Sequence, residues 1–128
     1  MRDDDGTKVH VLIAEDEILA AQALQEILGM EGYWVTVGHD GHAALADAEA
    51  HPPDALLTDI EMPRLDGLTL IRRLRSTRPS LPVVIMTGNP PPEWTRVVQD
   101  DALDHTVLLM KPVSPREIIG AIRTVLAA

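Results

Sequence analysis

Glu15-Asp16, Asp59, Thr87 and Lys111 each stand where a short apolar run gives way to polar chemistry. Residues 9–14 lead into Glu15-Asp16, 55–58 into Asp59, 82–86 into Thr87, and 106–110 into Lys111-Pro112. If these runs are strands of one parallel sheet, three carboxylates, a hydroxyl and an ammonium share its carboxyl edge, where open α/β sheets bind ligands. Such a set suits phosphoryl transfer. A carboxylate such as Asp59 can act as a nucleophile, but negative charge must be neutralised as it approaches a phosphate. Glu15 and Asp16 offer hard oxygen ligands for Mg²⁺. Lys111 supplies a point charge for a phosphoryl oxygen, and the Thr87 hydroxyl a donor for another. Singly, each residue has a plainer explanation, such as a surface loop or a helix cap. Their weight is joint, because unpaired acids gathered at one edge would repel one another.

The elements that must position these residues alternate along the chain. Strands are expected at about 9–14, 33–37, 54–58, 82–86 and 106–110, and helices at about 17–30, 41–50, 67–76 and 92–102, with a fifth opening after Ser114. Ile18, Ala21, Leu24, Ile27 and Leu28 share one face of the first helix, and Gly32 stops it. Asp40 and Asp66 are placed as N-caps. Ser114-Pro115-Arg116-Glu117 combines a capping box with proline at the first helical position. The helix at 92–102 has a thin apolar face, Trp94, Val97 and Val98, and follows Gly88-Asn89-Pro90-Pro91-Pro92. A short or displaced helix is expected there. Strict alternation implies right-handed crossovers and a doubly wound α/β fold, a five-stranded parallel sheet covered on both faces by five helices. The runs at 9–14, 54–58, 82–86 and 106–110 read as central strands.

The 128 residues suit one domain, with residues 1–8 as a flexible tail and 9–127 as the folded unit. A formal charge of −9 argues against binding nucleic acid through its phosphates. No apolar run is long enough for a bilayer-spanning helix. The acidic N-terminus does not resemble a targeting peptide. Absence of cysteine excludes disulfides and thiolate metal sites and suits the cytoplasm. Arg72, Arg73, Arg75 and Arg78 read as the solvated end of a helix, where cations suit the dipole. The five histidines show no tight ligand spacing.

Residues 59–67, Asp-Ile-Glu-Met-Pro-Arg-Leu-Asp-Gly, resemble the phospho-acceptor loop of bacterial two-component response regulators. Asp40-Gly41 with Ala44-Leu45, Glu15-Asp16, Thr87 and Lys111-Pro112 match that family's receiver domain (CheY-like) in order and spacing, over about residues 9–127. The resemblance implies a flavodoxin-like sheet of order 2-1-3-4-5. It also implies that Asp59 takes a phosphoryl group from a phosphohistidine on a sensor histidine kinase or histidine phosphotransfer protein. Asp16, Asp59 and the backbone carbonyl of Glu61 would hold Mg²⁺, with Glu15 acting mainly through water. Thr87 and Lys111 would engage the phosphoryl oxygens, and the Lys111-Pro112 bond would be cis.

Some positions depart from the family pattern. Leu108 stands where many receivers carry a switching aromatic residue, and Val113 follows Lys111-Pro112 where Phe is common. Glu61 and Asn89 occupy positions that resemble those tuning phosphoryl lifetime. The expected role is a stand-alone phospho-accepting switch that alters binding to a downstream protein, not a dedicated enzyme. The alternative is a degenerate receiver that binds partners without phosphorylation. A phosphatase of the haloacid dehalogenase type is disfavoured, because Glu61 replaces the second Asp and no cap domain is present.

Overall fold

The computed structural model describes residues 8–62, 64–89 and 105–127. In chain order these form β1 (His10–Ala14), α1 (Ile18–Met30), β2 (Trp34–Gly38), α2 (Gly41–Ala50), β3 (Ala55–Asp59), α3 (Gly67–Arg75), β4 (Val83–Thr87), β5 (Thr106–Met110) and α4 (Pro115–Ala127). The five strands pair in parallel, in the order β2-β1-β3-β4-β5. Parallel doubly wound architecture is therefore as the sequence led us to expect. Four helices lie among the described residues. The expected helix at 92–102, with Trp94 and the proline run, lies outside them, as does most of the tail.

Side-chain alternation along the buried strands divides the core in two. Leu12, Leu56, Val83 and Ile85 point to the face covered by α2 and α3, where they meet Ala44, Ala48, Leu70 and Ile71. Val11, Ile13, Leu57, Val84 and Met86 point to the opposite face, against Leu24 and Leu28 of α1 and Ile118, Ile122 and Val125 of α4. β1, β3 and β4 are buried throughout. β5 is not the central strand its apolar run suggests. It closes the described sheet at one edge and is only half-buried, with Met110 half exposed. An unbroken apolar run marks a strand covered on both faces, but it does not report whether both edges are paired.

The caps form as their residue types require. Asp40 Oδ1 accepts from Ala43 N at 2.7 Å, and Asp66 Oδ1 from Thr69 N at 2.8 Å. In the capping box, Ser114 N donates to Glu117 Oε1 at 2.9 Å and Glu117 N to Ser114 Oγ at 3.1 Å. The Ser114 amide, helped by the Ser114 hydroxyl, holds the Glu117 carboxyl below its usual range. The arginine cluster is only partly the solvated helix end expected from its spacing. Arg72 and Arg73 are exposed. Arg75 instead donates to the carbonyls of Leu81 and His105 and to Thr106 Oγ1, fastening α3 to the starts of β4 and β5. Arg78 donates to the carbonyl of Pro53. Those carbonyls lie just before or between strands, and a carbonyl can accept a second bond, as that of His105 does beside its bond from Val83 N at 2.9 Å.

A Cβ at Gly120, in the middle of α4, would meet nothing within 4 Å. Gly120→Ala is therefore expected to stabilise the fold by about 0.5–1 kcal/mol through reduced entropy of the unfolded chain. The midpoint of urea unfolding should rise with its slope unchanged.

Candidate functional site

Parallel pairing sets the strand ends in register. Ala14 lies beside Thr58 and Gly38, Asp59 beside Met86, and Thr87 beside Met110. The residue after β1, the last residues of β3 and β4, and the residue after β5 thus reach one edge. Each is tied down by backbone hydrogen bonds. Glu15 N donates to Gly38 O at 3.1 Å, Ile60 N to Met86 O at 3.2 Å, and Lys111 N to Thr87 O at 2.9 Å. The Lys111-Pro112 peptide is cis, as the resemblance implies.

The side chains converge as the sequence predicts. Lys111 Nζ lies 2.7 Å from Asp59 Oδ2 and 4.0 Å from Glu15 Oε1. Asp59 Oδ1 accepts the Glu61 amide at 3.0 Å. One ligand atom each from Glu15, Asp16 and Asp59 lies within 4.8 Å of the others, the one such group of metal-ligating side chains among the described residues. Glu15, Asp59 and Thr87 are buried, whereas Asp16 and Glu61 are exposed. All five residues singled out at the strand ends, together with Glu61, therefore belong to one site.

Charge in this site is tightly coupled. Burial pushes the Glu15 carboxyl up from 4.5 to about 7, against the pull of the Glu17 amide (Glu17 N to Glu15 Oε2, 3.0 Å) and with the help of the Asp59 charge. For Lys111, burial acts to depress the pKa. The Asp59 hydrogen bond and the charges of Asp59, Glu15 and Glu61 outweigh it and raise the pKa above 10.5. Burial is the main reason that the Glu15 carboxylate is disfavoured, and the neighbouring Asp59 charge adds to it, so further positive charge would be favourable here. All three acids offer oxygen donors, the type that a hard divalent cation such as Mg²⁺ takes. The residues therefore fit the metal that the resemblance implies.

Burying the Glu15 charge has a measurable cost in metal-free protein. A folded-state pKa raised from 4.5 to about 7 means that Glu15 favours the fold when protonated, and that this contribution is lost as pH rises from about 4.5 towards 7. In EDTA, Glu15→Gln is expected to be more stable than the parent at about pH 8, by about 2 kcal/mol, with the gap closing towards about pH 5. Paired thermal melts at the two pH values check this. A variant no more stable than the parent at the higher pH would contradict it.

Two contacts escape sequence reasoning. Glu17 was expected only as helix, yet its amide holds Glu15. The Glu61 side chain accepts a hydrogen bond from Thr87 Oγ1 at 3.2 Å, across 26 residues of chain. Neither contact has a local signal, because each depends on how a loop turns after its strand has ended. His39 also approaches the site, with Nδ1 3.2 Å from the Glu15 carbonyl.

Comparison with known proteins agrees with this geometry. The family model described as response regulator receiver domain matches residues 11–123. Response regulator MprA of Mycobacterium ulcerans is 35% identical over 118 residues, covering 92% of this chain and 50% of that protein. The chain thus spans about half the length of the curated relatives it matches. Among solved structures, the chemotaxis protein CheY4 of Vibrio cholerae superposes with a TM-score of 0.83 at 27% identity, covering 93% of this chain and 99% of that one. A response regulator receiver protein from Sinorhizobium medicae gives a TM-score of 0.84 at 27% identity, with 95% and 97% coverage.

Proposed function

Because the chain belongs to the response regulator receiver domain family, we propose that Asp59 accepts a phosphoryl group from a phosphohistidine donor and that the protein switches its binding surface in response. The observation that carries this reading is the buried Asp59 carboxylate, paired with Lys111 Nζ at 2.7 Å and flanked by Glu15 and Asp16. When bound, Mg²⁺ would offset the charge of the acids and of the incoming phosphate, held by Asp16, Asp59 and the Glu61 carbonyl, with Glu15 acting through water.

The remaining steps belong to this chain's own residues. An Asp59 oxygen attacks phosphorus in line. The P–N bond to the donor histidine breaks, and its electron pair stays on the imidazole nitrogen, which solvent protonates. The product is an acyl phosphate on Asp59. Lys111 transfers its pairing from the carboxylate to a phosphoryl oxygen, and Thr87 donates its hydroxyl to another. Those contacts exist only in the phosphorylated state, so they bias the conformational equilibrium by their differential energy. The donor would be a sensor histidine kinase or a histidine phosphotransfer protein in the cytoplasm, and the output a changed affinity for a protein target. The chain acts as a switch and not as a dedicated enzyme. The complete set of acids, hydroxyl and ammonium favours this over a degenerate receiver.

The test is intact-protein mass after incubation with acetyl phosphate. The expected result is a gain of one phosphoryl group with Mg²⁺ and none with EDTA. No gain with acetyl phosphate or with a phosphohistidine donor would overturn the reading. No helix among the described residues is long and apolar enough to cross a membrane.

A further inference from the structure

The Glu61 carboxylate has a relation to Thr87 that phosphoryl acceptance does not require. Thr87 Oγ1 donates to Glu61 Oε1 at 3.2 Å, and the same oxygen accepts the Asn89 amide at 3.3 Å. Thr87 is buried at the end of β4, and Glu61 reaches it from the exposed loop after β3. A hydroxyl carries a single proton. While that proton is given to Glu61, it cannot be given to a phosphoryl oxygen on Asp59. Threonine is also confined to few side-chain rotamers, so exchange of one acceptor for the other is a discrete step.

We propose that Glu61 is a resting-state latch: its carboxylate holds the Thr87 hydroxyl proton, and activation requires the phosphoryl group to win that proton from it. The latch rests on the phospho-acceptor reading above and adds its regulation. Glu61 is a positioning residue here, since it acts on the phosphoryl group through Thr87. It has a second effect that must be separated from the first. Its charge reaches Lys111 and would repel an incoming anion without any help from Thr87.

Two arms of one experiment separate these effects. In the resting protein, three-bond couplings to the Thr87 methyl group report its rotamer. The latch predicts one dominant rotamer in the parent and averaging in Glu61→Ala. An unchanged rotamer in Glu61→Ala would overturn the proposal, and since Glu61 is exposed this variant should fold.

The second arm measures affinity for beryllofluoride with Mg²⁺ in a double-mutant cycle with Thr87→Val. Glu61→Ala should tighten binding in the parent by roughly fivefold more than it does in Thr87→Val, the scale of one exposed hydrogen bond to a charged acceptor. Equal effects in both backgrounds would reduce Glu61 to simple charge repulsion and overturn the latch. Glu61→Gln, which keeps an acceptor and loses the charge, should retain a dominant Thr87 rotamer. If no variant binds beryllofluoride, the phospho-acceptor reading fails, while the rotamer arm still decides whether Glu61 restrains Thr87.

Discussion

Asp59→Asn is expected to take up no phosphoryl group from acetyl phosphate or from a phosphohistidine donor, under conditions that label the parent. The loss should be complete within detection, because an amide oxygen cannot replace a carboxylate as nucleophile and no other carboxylate among the described residues has the same surroundings. Glu15 is engaged by the Glu17 amide and lies 4.0 Å from Lys111. Asp16 is exposed. Among the described residues only Asp59 is buried with Lys111 Nζ at 2.7 Å and a backbone amide at 3.0 Å on its other oxygen. The fold should survive. Asparagine has nearly the same shape, and removing one charge relieves a cluster in which Glu15 is already pushed up to about 7. Intact mass, peptide mapping and a thermal melt check this together. Phosphoryl uptake by a folded Asp59→Asn protein would transfer the acceptor role to another residue and sink the assignment.

Much of this site is legible in the sequence, for a physical reason. Strand residues are read by burial, so an apolar run that stops at Asp59 or Lys111 reports where a strand leaves the core. Alternation with helices then forces the ends to one edge. Helix starts were equally legible, since Asp40, Asp66 and Ser114-Glu117 cap through local hydrogen bonds. Contacts between loops were not. The hold of Glu17 on Glu15 and of Glu61 on Thr87 is set by backbone turns beyond the strands. The arginines misled for a related reason: helical spacing places Arg75 and Arg78 beside solvated Arg72, but carbonyls of neighbouring loops draw them back. β5 misled because an apolar run does not report its place in the sheet.

Gly41 shows how a residue with no chemistry can govern the site, and Gly41→Ala should be among the most damaging single-methyl changes in the chain. A Cβ there would stand 1.9 Å from the Leu65 carbonyl oxygen and 2.7 Å from its carbonyl carbon. The obstacle is backbone, so no rotamer change removes it and either α2 or the acceptor loop must move. Neither is free to do so. Asp40 caps α2 one residue earlier, and Leu65 precedes the cap of α3, Asp66. Beyond that cap, a Cβ on Gly67 would meet the Asp59 carbonyl at 2.5 Å, so little slack separates the loop from the acceptor. Overpacking of this kind costs about 3 kcal/mol. Folded Gly41→Ala protein should also take up phosphoryl groups more slowly, because Glu61, whose carbonyl is proposed to hold the metal, lies in the displaced loop. Gly29→Ala is the control. It makes the same chemical change in a helix, where a Cβ meets nothing within 4 Å, and should unfold no more easily than the parent. A Gly41→Ala protein whose urea midpoint matched that of Gly29→Ala would show that the loop can yield at no cost, and the coupling of α2 to Asp59 would have to be abandoned.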